Sequence, residues 1–402
     1  MPSRLSPRQT LTPRSAADLA RPRHPGALLG SARGESRVWF EGEAPPAQPR
    51  KGRGAIANAS GRFEPHARER TDDGWGVLED IEALRTTVTP ERAKTIITRN
   101  DSPDISFDRS INPYRGCEHG CVYCFARPTH AYMGLSPGLD FESRLFVKEG
   151  AAEQLERELA APNYQPRTIA IGTNTDPYQP IERERRVMRA ILEVLARTNH
   201  PVGIVTKSAL IARDLDLLGP MAEKGLVKVG ISITTLDADL ARKLEPRAAS
   251  PEKRFETIAA LSAAGVPTGV MVAPVIPALT DHEIEKILAR ARIYGASEAG
   301  YILLRLPLET RDLFRDWLEA HVPDRAARVM AMVRGTREGK DYDSRWGTRM
   351  TGEGPYAWMI GRRFEAAATR LGLTERTRLR ADLFAPPARP ARGASRAQLS
   401  LF

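Results

Sequence analysis

Strand and helix patterns alternate along the middle of the chain, from about residue 104 to residue 305. Six β-branched or apolar runs are bounded by Gly and Pro, and the longer segments between them carry apolar residues at spacings of three and four. These runs predict strands near residues 104–111, 168–173, 202–207, 227–234, 268–274 and 299–305. Because parallel neighbours need crossovers of about this length, the pattern predicts an α/β fold with a parallel sheet covered by helices.

Six units are too few for a closed eight-stranded barrel, which leaves an open partial barrel or a doubly wound sheet. Periodicity alone does not choose between them. Residues 61–103 predict a polar flank with helical stretches, and residues 306–384 predict a C-terminal helical subdomain. We expect residues 1–60 and 385–402 to be disordered basic tails, because they are rich in Pro, Ala and Gly and cannot bury much apolar surface.

Nearly all of the excess positive charge of the chain, +9 of +10, lies in these tails. Residues 1–60 hold ten Lys and Arg against four Asp and Glu, and residues 385–402 hold three Arg and no acid. Such ends either keep the protein soluble or attract a polyanion. An Arg-rich, acid-poor start also fits an organellar transit peptide.

Three classes of protein are disfavoured by the sequence. No apolar run approaches the length needed to cross a bilayer, so we expect no membrane-spanning role. The N-terminus has no continuous apolar segment before a cleavage site, which argues against secretion. Only three cysteines occur, too few for a disulfide framework, so we expect a reducing, cytoplasmic location and a chemical use for the thiols.

All three cysteines lie within eight residues, at Cys117, Cys121 and Cys124, directly after the first predicted strand. A structural zinc site needs four ligands, and His119 is the nearest candidate for the fourth. In a 4Fe-4S cluster, three thiolates hold three irons and leave the fourth iron open to a small molecule. The sequence favours this open cluster over zinc or a redox thiol pair.

The Cys-x3-Cys-x2-Cys spacing, with Tyr123 before the last cysteine, resembles the radical S-adenosylmethionine (SAM) superfamily. The resemblance implies a partial (β/α)6 TIM-like barrel and a 4Fe-4S cluster held by Cys117, Cys121 and Cys124. It also implies that the open iron chelates SAM and that one electron cleaves SAM to methionine and a 5′-deoxyadenosyl radical. An electron donor such as flavodoxin or ferredoxin is then required.

Motifs at the ends of the next four predicted strands are similar to the spore photoproduct lyase-like group, also called DNA repair photolyase-like, over roughly residues 100–310. The four segments are 172–182, 206–208, 232–235 and 273–277. All lie at the carboxyl ends of predicted strands, the face on which barrel enzymes build active sites.

This resemblance implies roles for five residues in SAM binding. Thr175 and Asp176 would hold the amino group and ribose, and Lys207 would pair with the carboxylate. Ser232 would hydrogen-bond the same ligand, and Tyr123 would flank the adenosine. Each residue taken alone also fits a turn, a surface charge or a strand end.

One feature departs from that group. Spore photoproduct lyase uses a fourth cysteine near the second-strand motif to return a hydrogen atom, whereas this chain reads Thr173-Asn174-Thr175 there and has no fourth cysteine. Repair of a thymine photoproduct by that scheme is therefore disfavoured unless Tyr178 or Tyr123 substitutes. A second cysteine-ligated cluster within the chain is excluded.

Two C-terminal segments suggest partners. Arginines mix with aromatic residues between residues 345 and 363, which suits either nucleic-acid binding or packing of the subdomain. The last residues, Gln398–Phe402, resemble the pentapeptide with which bacterial repair proteins bind the replicative sliding clamp. A hydrophobic end that docks on its own domain is the alternative.

Together these features predict a radical SAM enzyme that acts on nucleic acid. The alternatives are the same radical chemistry on a small metabolite or a protein side chain, and a metal-bearing nucleic-acid-binding adaptor without turnover.

Overall fold

The computed structural model describes residues 49–64 and 84–388. Its strands are β1 (Thr87–Glu91), β2 (Thr98–Arg99), β3 (Arg109–Ile111), β4 (Tyr114–Arg115), β5 (Arg144–Lys148), β6 (Ile169–Ile171), β7 (Val202–Thr206), β8 (Val227–Ser232), β9 (Thr268–Val275) and β10 (Glu298–Leu303). Its α-helices are α1 (Asp140–Ser143), α2 (Ala151–Leu159), α3 (Glu182–Arg185), α4 (Val187–Arg197), α5 (Leu215–Glu223), α6 (Ala238–Leu244), α7 (Pro251–Ala263), α8 (Ile284–Ile293), α9 (Glu309–His321), α10 (Pro323–Gly335) and α11 (Gly354–Arg370). Short 3-10 helices cover Arg127–Met133, Ala209–Asp214 and Asp281–Glu283.

The main sheet has the strand order β10-β9-β8-β7-β6-β3-β2. The first six strands in this order run parallel, and β2 pairs antiparallel at the edge. Each parallel strand overlaps one of the six predicted runs, although β3 occupies only the last three residues of its run. Because every new strand is added on the same side, the order never reverses as it does in a doubly wound sheet. The prediction of a partial (β/α)6 barrel is therefore confirmed.

Alternate residues of the parallel strands face opposite sides of the sheet. One side, including Ile204 and Val270, is buried against the helices in the main hydrophobic core. The other side carries small residues, and the Met271 side chain fills the space over two of them. A Cβ atom at Gly230 would lie 3.3 Å from Met271 Cγ, and one at Gly300 would lie 2.9 Å from its Sδ. The carboxyl end of this side holds the site described below.

The flanks of the parallel sheet contain both helices and strands. After β10 the chain forms three helices, α9, α10 and α11. On the N-terminal side, residues 84–103 contain β1 and β2 in place of the expected helical stretches, and residues 65–83 lie outside the described chain. In addition, β1, β5 and β4 form a second, three-stranded sheet that the sequence did not predict.

The predicted boundary of the N-terminal tail at residue 60 also differs from the structure. Arg53, Ala55 and Ile56 are buried, so packing begins before that residue. Residues 1–48 and 389–402 lie outside the described chain, and with them the clamp-like peptide Gln398–Phe402. None of the helices in the described ranges is long and apolar enough to cross a bilayer.

His200 links the sheet to the C-terminal segment. It is fully buried just before β7, and its ring lies 5.4 Å from that of Phe384. The ring nitrogen Nδ1 donates to the Pro201 carbonyl at 3.0 Å, so the neutral Nε2 accepts from the Tyr164 hydroxyl at 2.7 Å. Burial lowers the pKa of His200 to about 4.

We expect the buried His200 to make stability depend on pH. Its pKa is depressed in the folded state, so the unfolded chain binds the proton first and stability falls as pH drops below about 6.5. Between about pH 7.5 and about pH 5.5 this residue should remove about 1 kcal/mol from the free energy of unfolding. The check is urea unfolding of wild type and His200→Asn at both pH values, with the exposed His282→Asn as control. If wild type and His200→Asn lost the same unfolding free energy between the two pH values, this expectation would be contradicted.

Candidate functional site

The three cysteines lie in the loop that follows β4, here called the cysteine loop and defined as residues 116–124. Gly116 and Gly120 have φ angles of 74° and 68°, a region that strains other residues. A Cβ atom at Gly116 would lie 2.6 Å from a methyl group of Leu145, and one at Gly120 would lie 2.8 Å from Glu142 Oε2. Both positions therefore require glycine for the loop to fold as it does.

Arg127 is completely buried and supports the cysteine loop through hydrogen bonds. Its guanidinium donates to the carbonyls of Gly120, at 3.1 Å, and Cys121, at 2.9 Å, and pairs with the buried Glu142 carboxylate. The same carboxylate accepts the backbone N–H groups of Gly54 and Ala55 at 2.9 and 2.8 Å. The segment at residues 53–55 is thus part of the support of the cysteine loop, which explains why it packs.

The three thiols offer a donor set for a soft metal centre. Cys117 and Cys121 are buried and Cys124 is half-buried, and all three are free of disulfides. Burial raises the pKa of each thiol. A buried thiolate therefore needs a neighbouring cation, and iron bound by three sulfurs supplies that charge. The donor set fits the 4Fe-4S cluster that the sequence predicts.

Asp176, at the carboxyl side of β6, ties several loops together. Its carboxylate accepts from the backbone N–H of Tyr178 and the Thr206 hydroxyl, and from the backbone N–H of Lys207, at 2.7–2.9 Å. His119 Nδ1, from the cysteine loop, lies 3.3 Å from it. Burial alone would raise the pKa of Asp176, but His119 and these donors hold it below its ordinary value.

Lys207 follows β7, and its side chain runs towards the cysteine loop. Its Nζ lies 3.3 Å from Glu245 Oε1 and 5.8 Å from the centre of the Tyr123 ring, and donates to the Ala273 carbonyl at 3.1 Å. Burial lowers the pKa of Lys207 to about 8, while the Cys121 thiolate acts in the opposite direction. A cationic group is therefore held beside the cysteines in a largely dry environment.

Glu245, which follows α6, was missed by the sequence analysis and joins most of these groups. It is 2% exposed, and its carboxylate accepts from the hydroxyls of Tyr123 and Thr234 and from the Arg254 guanidinium. Arg254 in turn donates to the Ser232 carbonyl at 3.0 Å. No periodic pattern marks Glu245, because its partners come from four different segments and meet only in the folded chain.

The structure thus brings Tyr123, Asp176 and Lys207 together around the cysteine loop, and connects Ser232 to them through Arg254 and Glu245. Thr175 is buried next to Asp176, but its hydroxyl donates to the Tyr114 carbonyl at 3.0 Å.

Comparisons with known proteins bear on the family of this chain. The family model described as Radical SAM superfamily matches residues 111–291. A relative from Mycobacterium bovis, described as an uncharacterized protein, is 39% identical over 232 residues, which cover 57% of this chain and 68% of the relative. Another uncharacterized protein, from Methanocaldococcus jannaschii, is 27% identical over 214 residues, covering 53% of this chain and 76% of the relative.

Among solved structures, the fold is similar to a spore photoproduct lyase variant with bound AdoMet and dinucleoside spore photoproduct. The sequence identity is 14% and the TM-score is 0.49, over 71% of this chain and 79% of that one. A similarity of this size does not carry a function from one protein to the other. The family model, in contrast, spans the cysteine loop and the four central parallel strands, β6 to β9, and we conclude that the chain belongs to the radical SAM superfamily.

Proposed function

We propose that the protein binds a 4Fe-4S cluster through Cys117, Cys121 and Cys124 and uses it to cleave SAM to a 5′-deoxyadenosyl radical, which abstracts hydrogen from a nucleic acid. The observation that carries this proposal is the placement of three disulfide-free thiols, two buried and one half-buried, beside Lys207 at the carboxyl edge of a parallel sheet. That edge is where barrel folds build their active sites.

The cluster, when bound, supplies one electron to the sulfonium of SAM. The protein has to bind SAM, orient it and keep water away. The Lys207 ammonium is suited to the SAM carboxylate, since it lies next to the cysteines, and Ser232 follows on the neighbouring strand. Apolar side chains, including Ile276, Leu279 and Leu304, pack in the same cluster as Cys121 and Tyr123. They support a site from which water is excluded.

For Asp176 we propose a positioning role in place of the direct ribose contact that the resemblance implies. A carboxylate offers about four lone-pair positions, and four donors already surround this one. Asp176 would act on SAM by fixing the backbone of Lys207 and the cysteine-loop residue His119.

Three features support nucleic acid as the substrate class: the sequence resemblance to the DNA repair photolyase-like group, the basic tails and the clamp-like Gln398–Phe402. With three cysteines committed to iron, no thiol of this chain remains to return a hydrogen atom. The two tyrosines named above as substitutes for that thiol, Tyr123 and Tyr178, have hydroxyls that donate to the carboxylates of Glu245 and Asp214, respectively. A reducing, cytoplasmic location with a flavodoxin- or ferredoxin-type electron donor completes the proposal.

The substrate class can be tested by measuring 5′-deoxyadenosine. Anaerobically reconstituted, reduced protein is given SAM alone or with native DNA, UV-irradiated DNA or RNA. We expect one nucleic acid to raise the yield several-fold, because a bound substrate supplies the hydrogen that consumes the radical. A basal yield unchanged by every nucleic acid would favour a metabolite or protein substrate. No 5′-deoxyadenosine under any condition would favour the adaptor function.

The role of Lys207 predicts a specific loss of SAM binding. Removing a charge-assisted hydrogen bond from a buried site should weaken SAM affinity in Lys207→Ala about tenfold or more. Equilibrium dialysis of the reconstituted protein with labelled SAM measures the change. Lys228→Ala is the matched control. The Nζ of Lys228 also lies 3.3 Å from a glutamate, Glu298, but Lys228 is near the amino end of β8, whereas Lys207 follows the carboxyl end of β7. Equal affinity in wild type and Lys207→Ala would remove Lys207 from the SAM site.

A further inference from the structure

The arginines of the C-terminal subdomain that the sequence singled out are already neutralised. Arg345 donates to Asp343 at 2.7 Å, Arg363 to Glu285 at 2.8 Å and Arg362 to Glu365 at 3.2 Å. Arg349 pairs with Asp104 from the segment before β3. A guanidinium that is already held by a carboxylate is a weaker partner for a phosphate than a guanidinium that has no such carboxylate.

Arg305, two residues after β10, is different. Within residues 49–64 and 84–388, its two terminal nitrogens hydrogen-bond only to Met350 Sδ, at 3.5 Å, and to the Tyr342 hydroxyl, at 3.3 Å, and its buried Nε has no hydrogen-bond partner there. Among the described residues, no carboxylate lies within ion-pair distance of it. A guanidinium has five N–H donors and is always charged, so Arg305 retains most of its capacity to bind an anion.

A second arginine increases the positive potential here. Arg337 is 1% exposed and donates to the carbonyls of Leu304 and Thr348 at 3.0 and 2.7 Å. Burial lowers the pKa of Arg337, and the charge of Arg305 lowers it further. Asp343, which partly offsets these charges, is itself bonded to Arg345.

An exposed ring lies against Arg305. Phe125 directly follows Cys124, is 41% exposed, and has its ring centre 4.8 Å from the Arg305 guanidinium carbon. The residues on both sides of Arg305, Leu304 and Leu306, pack in the same apolar cluster as Cys121 and Tyr123. The ring and the free guanidinium therefore lie next to the cysteine loop.

We propose that Arg305 and Phe125 form a nucleotide subsite at the entrance to the radical site. Arg305 binds the oxygens of a backbone phosphate, and the face of Phe125 stacks on the adjoining base of an unpaired strand. A nucleotide presents a phosphate next to a flat base. These two groups match a guanidinium that lies 4.8 Å from the centre of an exposed ring. The subsite rests on the proposed nucleic-acid function, for which it supplies the contacts that hold the substrate beside the cluster.

The test measures binding by fluorescence anisotropy of the reconstituted protein. The probes are a labelled single-stranded oligothymidylate and the same strand with abasic sites. We expect Arg305→Gln to bind both probes about fivefold more weakly. When the logarithm of affinity is plotted against the logarithm of salt concentration, its slope should be smaller than that of wild type by about 0.7. Phe125→Leu should lose affinity for the base-bearing probe alone, since only that probe can stack.

Controls separate binding from folding. Arg363→Gln removes an arginine that is held by Glu285 and should bind like wild type. Arg305→Lys keeps the positive charge, so it should keep the salt slope of wild type. Iron content and circular dichroism of every variant should match wild type.

Two results would overturn the subsite, and they differ in what else they affect. If wild type binds the oligonucleotide and folded Arg305→Gln binds it equally well with the same salt slope, the subsite is wrong and the nucleic-acid function stands. If wild type binds neither probe, the subsite is wrong, and the 5′-deoxyadenosine yields with DNA and RNA then decide whether the nucleic-acid function is wrong as well.

Discussion

The buried ion pair between Arg127 and Glu142 is the interaction on which the candidate site depends. It joins three stretches of chain: the segment at residues 53–55, the cysteine loop and the stretch at residues 137–143 that ends in α1. Both side chains are fully buried, and removing one partner of such a pair typically costs about 3 to 5 kcal/mol. The pair is stable because nearly every remaining donor and acceptor is used: the guanidinium also binds four backbone carbonyls.

A second buried ion pair, between Glu245 and Arg254, links the parallel strands to the same site. It connects the end of β8 to Lys207 and to Tyr123 of the cysteine loop, so the loop and the strands are held in one hydrogen-bonded network. Fully satisfied polar networks of this kind are rigid. Rigidity is what radical chemistry requires of a protein, because a reactive intermediate must meet one substrate hydrogen and no water.

The sequence predicted the parts of the molecule that local patterns encode. The six parallel strands were found because β-branched runs and helical periods alternate, and the cysteine loop because its spacing is compact. The three-stranded sheet was missed because β4 has two residues and β1 is largely exposed, so neither has a clear period. Arg127, Glu142 and Glu245 were missed for a different reason: nothing near them in the chain shows that they become buried. The same holds for Arg53 and Ala55, which lie in a segment whose Pro, Ala and Gly content predicted a disordered tail.

The central claim is that three cysteines leave one iron of a 4Fe-4S cluster open to SAM. Mössbauer spectroscopy of protein reconstituted with isotopically labelled iron tests it most directly, by comparing spectra with and without SAM. We expect SAM to change the signal of one of the four irons, consistent with binding of its amino and carboxylate groups, and to leave the signals of the other three unchanged. Spectra that do not respond to SAM, or protein that holds no four-iron cluster, would contradict it.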